Sequence, residues 1–142
     1  MKRTSFLIIF TVILCLLISP SFTKSQEKQA PTWSIYFSPK GSCTDANIKE
    51  LDKAQTSVLV QAYSFTSTPI AKALLNAQKR GVKVEVILDK SQKKEKYSSA
   101  DFLANSGIPT KIDSAHAIAH NKIIIVDEET VITGSFNFTR AA

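Results

Sequence analysis

The sequence predicts an α/β fold with a mixed, mostly parallel β-sheet that is flanked by helices. Short runs rich in β-branched residues alternate along the chain with segments that repeat apolar residues at helical spacing. Such alternation is typical of parallel strands that are covered by helices. The last two β-rich runs are separated by only four residues. That spacing predicts an antiparallel hairpin, which makes the sheet mixed.

The first strand and the first helix are predicted before residue 56. Residues 33–37 (WSIYF) are predicted to form a short strand that ends at the turn-forming SPKG. Thr44 is a candidate N-cap for a helix that runs to about Gln55. Ile48 and Leu51 would lie on one face of this helix and supply its apolar stripe.

A strand, a helix and a second strand follow. Residues 57–63 (SVLVQAY) form a continuous β-rich run, which is typical of a strand buried on both faces. Thr68 and Pro69 supply a cap and a first-turn proline for a helix, and Gly81 ends it. Residues 82–88 (VKVEVIL) are the next predicted strand.

A further helix and the hairpin complete the predicted sheet. Ser98 or Ser99 can cap a helix that Gly107 stops. Strands are then predicted over residues 108–112, 118–126 and 131–135.

Residues 1–25 have the features of a secretory signal peptide. Lys2 and Arg3 precede an apolar run over residues 6–18. This run has about 13 residues and is shorter than the ~20 that span a bilayer as a helix. We therefore expect a periplasmic or secreted domain of residues 26–142. An uncleaved membrane anchor is the alternative interpretation, because no clean A-x-A cleavage site is present.

The predicted mature domain is mildly basic. The whole chain has 18 Lys and Arg residues, 12 Asp and Glu residues and a net charge of +6. Three basic residues would leave with the signal, so the net charge would fall to about +3. Such a charge permits binding to nucleic acid or anionic lipid without requiring it. Cys43 would be the one remaining cysteine, which excludes an internal disulfide.

Four lysines fall within seven residues, at Lys90, Lys93, Lys94 and Lys96. They are candidates to flank a site for an anionic substrate. The alternative interpretation is an ordinary solvated loop.

The hairpin carries two pairs of polar residues that can form a site. Residues at i and i+2 of a strand point to the same face, so His120 shares a face with Lys122. Ser135 and Asn137 share a face in the same way if the second arm stays extended. We expect Asp127 to pair with Thr130 across the turn. The opposed pairs would then be Lys122 with Ser135 and His120 with Asn137, each with Cβ atoms roughly 5 Å apart.

This set of side chains suits a tetrahedral oxyanion such as phosphate. Lys122 offers a positive charge with three donors, and Ser135 and Asn137 offer neutral donors. His120 can act as a nucleophile or as an acid and base near neutral pH. No carboxylate or cysteine stands at metal-ligand spacing beside it, so the pattern predicts phosphoryl chemistry with no metal ligands and no cofactor.

The spacing of these residues resembles a known signature. His120-x-Lys122, Asp127 after four residues, Gly134-Ser135 after six more and then x-Asn137 match HxKxxxxDxxxxxxGSxN. This is the HKD motif of the phospholipase D superfamily. The stretches SPKG, QAYSFTS, VILDKSQ and EKYSSADFLANSGIP are similar to its small bacterial endonucleases of the Nuc type.

The resemblance implies a phospholipase D-like fold and a catalytic dimer. Family members use two HKD motifs per active site, and this chain has one, so two copies should meet through their HKD faces. His120 of one subunit would form a phosphohistidine, and His120 of the other would protonate the leaving oxygen and then activate water. Lys122 and Asn137 would hold the non-bridging oxygens, and Ser135 would orient or donate.

Supporting roles are expected for four further positions or groups. Asp127 is expected to stabilise the hairpin rather than to contact substrate. Gly134 is expected to allow close backbone packing beside the site. His116 and the lysines at 90, 93 and 94 are weaker candidates that would flank the substrate.

The resemblance also implies a difference in length. Relatives continue after the motif with a helix and a strand that carry a glutamate next to the catalytic imidazole. This chain stops at Ala142, so we expect a C-terminally truncated domain.

Three functions remain open at this stage. The leading one is cleavage of DNA, and also of RNA, with little sequence preference. The second is hydrolysis of phospholipid headgroups by the same residues. The third is binding of nucleic acid with little or no turnover.

Overall fold

The computed structural model of the protein describes residues 30–142, and the fold lies in the unit Ser34–Ala142. Its helices are α1 (Cys43–Lys53), α2 (Thr68–Lys79) and α3 (Ala100–Asn105). Its strands are β1 (Ser57–Ala62), β2 (Lys83–Asp89), β3 (Thr110–Asp113), β4 (Lys122–Val126) and β5 (Thr130–Thr133). A short 3-10 helix, Lys90–Lys93, follows β2. The predicted signal peptide, residues 1–25, lies outside the described residues.

The strands form one mixed sheet in the order β3-β2-β1-β4-β5. β1 pairs with β2 and β2 with β3 in parallel. β4 runs antiparallel to β1, and β5 runs antiparallel to β4. The predicted α/β class with a mixed sheet and flanking helices is confirmed.

One face of the sheet carries the core. Val58, Val60 and Ala62 of β1 alternate with residues that are more exposed, so every second side chain enters this core. Each helix adds buried leucines or alanines, and the largest are Leu51, Leu74 and Leu103. This burial of apolar surface is the main source of the domain's stability.

The opposite face of the sheet is open in the described part of the chain. Leu59, Ile87 and Val131 are 40%, 39% and 62% exposed. The prediction that residues 57–63 are buried on both faces is therefore wrong. The reason is that the core leucines of all three described helices join the same face of the sheet.

The predicted strand at residues 33–37 is also wrong. Phe37 makes only isolated bridges to Gly41 and Ser42, and the large side chains before it are exposed. A β-rich run becomes a strand only where the edge of a sheet offers it a ladder of hydrogen bonds. No such edge pairs with this run within residues 30–142.

Some boundaries differ from the predicted ones. α1 begins at Cys43, one residue before the predicted cap Thr44, with Ser42 in the N-cap position. β4 begins at Lys122, so His120 lies in the loop before the strand. β5 ends at Thr133, which places Ser135 beyond the hairpin ladder.

The one-sided core predicts unequal costs for two leucine truncations. Leu74→Ala, at a fully buried position, should lower the free energy of unfolding by about 2–5 kcal/mol. Leu59→Ala, on the open face, should cost about 1 kcal/mol or less. Urea unfolding at equilibrium measures both, and equal losses would contradict a core on one face only.

Candidate active site

One edge of the sheet gathers the polar residues of interest. The parallel strands β1, β2 and β3 all end at this edge, and the antiparallel strand β4 begins there, because Ala62 pairs with Lys122. Tyr63 and Asp89 therefore stand at the same edge as Lys122. The carboxyl ends of parallel strands are the usual place for a site in an open α/β sheet.

The loop residue His120 is held close to β1. The backbone N–H of Tyr63 donates to the carbonyl of Asn121 at 2.7 Å. The rings of Tyr63 and His120 lie with centroids 4.4 Å apart at an angle of 57°. The imidazole is thus supported on one side by an aromatic ring and exposed on another.

Lys122 is buried beside this imidazole. Its side chain and backbone are together only 6% exposed. The Nζ atom lies 3.2 Å from each ring nitrogen of His120 and donates to the His120 carbonyl at 3.1 Å. It also lies 5.2 Å from the centroid of the Tyr63 ring. The predicted proximity of His120 and Lys122 is therefore observed.

The charge of Lys122 has no carboxylate partner among the described residues. Burial lowers the pKa of its ammonium group, because the charged form loses hydration. A buried cation without a counter-ion is costly. The position is consequently well suited to an anionic ligand, which would supply the missing negative charge.

The predicted register of the hairpin is wrong by one residue. Val126 pairs with Thr130, and the last pair of the ladder is Ile123 with Thr133. The cause is the turn: Asp127 and Glu128 both have positive φ values, 54° and 60°, and Glu129 donates back to the Val126 carbonyl.

The cross-strand pairs proposed for the site do not form as a result. Neither Lys122 with Ser135 nor His120 with Asn137 is an opposed pair in the observed ladder. The chain instead leaves the hairpin after Thr133 and returns to the segment that follows β1.

This return brings the second polar pair to the same edge of the sheet. Phe138 bridges to Phe65, and its carbonyl accepts from the N–H groups of Thr66 and Ser67. Asn137 stands immediately before that bridge. Its Oδ1 atom is buried and has no hydrogen-bond partner in the described structure. Ser135 is exposed.

Asp127 lies at the opposite end of the hairpin and is a structural residue there. Its carboxylate accepts hydrogen bonds from the backbone N–H groups of Gln55, Thr56 and Ser57 and from the Thr56 hydroxyl. These bonds hold the pKa of the carboxyl well below its ordinary value. Asp127 therefore ties the hairpin turn to the loop before β1.

The prediction that Gly134 allows close backbone packing beside the site is wrong. A Cβ atom at this position would meet no atom within 4 Å, so close backbone packing is absent. The residue has φ +154°, a conformation that residues with side chains rarely adopt. Glycine here lets the chain turn away after β5.

The weaker candidates lie around the same edge. His116 is exposed, and its Nδ1 lies 2.8 Å from Asp113 Oδ2. Lys90, Lys93 and Lys94 are exposed on the 3-10 helix and just after it.

The sequence analysis missed two residues at this edge, Tyr63 and Asp89. Asp89 is buried and accepts from the backbone of Ala119, directly before His120. A signal for both was present, because each stands at the carboxyl end of a strand that the sequence predicted.

Within residues 30–142, histidine, cysteine and acidic side chains do not gather in a group of three or more that could hold a metal ion. No helix in that range is long and apolar enough to cross a membrane.

The model of the "Cardiolipin synthase, PLD-like domain" family matches residues 47–142. The chain belongs to this phospholipase D-like family. It is 48% identical over 109 residues to a "Phospholipase D" of Rickettsia typhi, which covers 77% of this chain and 53% of the relative. The chain thus spans about half the length of these curated relatives.

Two further relatives extend the comparison. A "Mitochondrial cardiolipin hydrolase" of Xenopus laevis is 34% identical over 86 residues, which are 61% of this chain and 41% of that one. The crystal structure of Nuc, a phospholipase D family member from Salmonella typhimurium, superposes with a TM-score of 0.76 at 45% identity. It covers 79% of this chain and 75% of its own. The fold predicted from the HKD resemblance is therefore confirmed.

The contacts of Asp127 predict an acid-sensitive contribution to stability. Asp127→Asn keeps a residue that tolerates positive φ but places an amide NH₂ among N–H donors, so the urea midpoint at pH 7 should fall. The folded pKa lies below the ordinary 3.8. The carboxylate's contribution is therefore complete above about pH 5 and is lost as the pH falls further.

Urea midpoints of the wild type and Asp127→Asn at pH 7 and pH 2.5 check this expectation. The difference between the two proteins should shrink at the lower pH. A difference that is the same at both pH values would contradict the assignment.

Proposed function

We propose that the protein is a phosphodiesterase that hydrolyses nucleic-acid phosphodiester bonds with little sequence preference and without a metal ion. The observation that carries this proposal is the buried Lys122 ammonium, which lies against the His120 ring and has no carboxylate partner within residues 30–142. A phosphodiester anion is a ligand that matches both the charge of Lys122 and the nucleophilic character of His120.

The first step in this proposal transfers the phosphoryl group to His120. An imidazole nitrogen attacks phosphorus and forms a P–N bond, while the bond to the leaving oxygen breaks. His120 of the partner subunit gives its proton to that oxygen. Lys122 neutralises the non-bridging oxygens, which lowers the cost of bringing negative charge together.

The second step returns His120 to its starting state. A water molecule attacks phosphorus, its proton passes to His120 of the partner subunit, and the P–N bond breaks. Division of one difficult displacement into two easier ones is the benefit of a covalent intermediate. In this proposal the side-chain NH₂ of Asn137 and the hydroxyl of Ser135 donate to substrate oxygens.

A homodimer that joins two such edges completes the proposed site. Each subunit supplies one His120, whereas the two proposed steps need two histidines. One acts as the nucleophile, and the other acts as the acid and base. An isologous contact through the sheet edge that carries His120 and Lys122 would bring the two histidines together. Each subunit would then contribute one His120 to the shared site.

The exposed lysines favour a polyanionic substrate. Lys90 and Lys93 lie on the 3-10 helix, which starts directly after Asp89 at the same edge of the sheet, and Lys94 and Lys96 follow it. Contacts from such lysines go to phosphates and carry no base specificity. DNA is the preferred candidate, with RNA as a second nucleic acid. The predicted signal peptide supports a periplasmic or secreted location for this proposed activity.

Phospholipid is the second candidate substrate. The Rickettsia and Xenopus relatives carry the names phospholipase D and cardiolipin hydrolase. Ile118, two residues before His120, is 63% exposed, and Tyr97 is 68% exposed. Apolar side chains on loops beside a site can contact a lipid surface.

The decisive variant is His120→Ala in a plasmid-nicking assay with EDTA present. We expect the wild type to nick plasmid and the variant to lose at least about a thousandfold in rate, because the nucleophile is absent. His116→Ala is the matched histidine control, and it should lose far less. Parallel reactions with phosphatidylglycerol or cardiolipin vesicles test the lipid alternative.

Each other outcome has a definite meaning. Headgroup release from vesicles without nicking would replace the nucleic-acid proposal by the lipid one. Plasmid binding that weakens with salt, without any cleavage, would favour a binding protein with no turnover. Loss of nicking in EDTA would contradict a metal-free mechanism.

A further inference from the structure

Two neighbouring strands of the sheet end in a carboxylate. β2 ends at Asp89 and β3 ends at Asp113, and these residues are partners in the parallel ladder. The loop between β3 and β4, residues 114–121, passes over this edge and carries His120. Both carboxylates accept hydrogen bonds from this loop.

Asp113 holds the beginning of the loop. Its Oδ1 accepts from the backbone N–H groups of Ala115 and His116 at 3.0 and 3.2 Å. Its Oδ2 lies 2.8 Å from His116 Nδ1. The bond to the His116 ring is the main reason that the pKa of Asp113 is lowered.

Asp89 holds the end of the loop. The residue is 3% exposed, and its Oδ2 accepts from the N–H of Ala119 at 2.7 Å. Its Oδ1 accepts from Ser91 at 2.8 Å. Burial alone would raise the pKa of this carboxyl, but its hydrogen bonds bring the pKa below the usual value. Asp89 is therefore an ionised, buried acceptor with both oxygens in use.

The backbone of His120 is consequently fixed on both sides. Ala119 before it donates to Asp89, and the Asn121 carbonyl after it accepts from Tyr63. The same Asp89 carboxylate binds the first turn of the 3-10 helix that presents the lysines. Gln92 of this helix is buried and accepts from the N–H of Phe65. One carboxylate thus joins the loop of His120 to the lysine segment.

We propose that Asp89 is a positioning residue for His120: it holds the backbone N–H of Ala119, the residue directly before His120, so that the imidazole stays in place against Tyr63 and Lys122. Asp89 contacts no substrate in this role. The inference rests on the proposed function of His120, and the experiments below separate the two.

The kinetic test is Asp89→Asn with bis(p-nitrophenyl) phosphate as substrate. An asparagine can accept from one N–H but presents its own NH₂ to the other, so one of the two anchors is lost. We expect kcat to fall about 10- to 100-fold, as small misplacements of a reacting group do. KM should stay within about twofold, because the phosphate-binding ammonium of Lys122 remains.

Asp101→Asn is the matched control, since it removes the same charge from an exposed position on α3. This control should retain the wild-type kcat. A loss in Asp89→Asn that lies entirely in KM, or a kcat within twofold of wild type, would overturn the proposal.

A second readout does not depend on turnover. The chain contains two histidines, His116 and His120, so their ring proton signals in NMR spectra are readily assigned. Asp89→Asn should shift or broaden the His120 signal and leave His116 unchanged. Asp113→Asn should do the reverse. Equal effects of both variants on both rings would indicate general loosening of the loop and would contradict the proposal.

A third readout uses the unaltered chain, in case Asp89→Asn does not fold. The Ala119 amide proton should exchange slowly with solvent, because it is buried and donates to a carboxylate. Rapid exchange of this amide would also overturn the inference. A wild type inactive on every phosphodiester would reject the proposed function, while the NMR and exchange results would still decide the role of Asp89.

Discussion

The buried ammonium of Lys122 is the constraint on which the site depends. A lysine is seldom buried without a partner, since removal of its hydration is costly. Here the contacts within the described residues are the His120 ring, the His120 carbonyl and the face of Tyr63. None of these is an anion, so the folded domain keeps a cation beside an imidazole at the open edge of a sheet. A phosphate group would relieve this imbalance.

The sheet itself creates this arrangement. The antiparallel pairing of β4 with β1 brings the start of one strand to the end of the other, so Lys122 meets Ala62 and the following Tyr63. The parallel strands deliver Asp89 and Asp113 to the same edge, where they hold the loop of His120. Apolar packing on one face of the sheet therefore fixes the strands from whose ends these polar groups extend.

Much of this fold could be predicted from the sequence, because β-branched runs and helical spacing are local signals. The strands at Ser57–Ala62 and Lys83–Asp89 and the helix from Thr68 were found in this way. The register of the hairpin was missed, since it depends on positive φ values at two residues without glycine. The open sheet face and the failed strand at 33–37 were missed because both depend on which neighbours cover or pair with a segment.

The proximity of His120 and Lys122 was predicted from the sequence, whereas the cross-strand pairs around them were not predicted correctly. The spacing of His120 and Lys122 indicated a shared location, and the structure places their side chains within 3.2 Å. The most direct test of the account replaces Lys122 by methionine, whose unbranched side chain is one atom shorter and carries no charge. Inorganic phosphate should bind to the wild type and not to Lys122→Met, while the urea midpoint of the variant should rise because an unpaired buried charge is gone. Unchanged phosphate binding together with a lower midpoint would contradict the claim that this ammonium is an anion site.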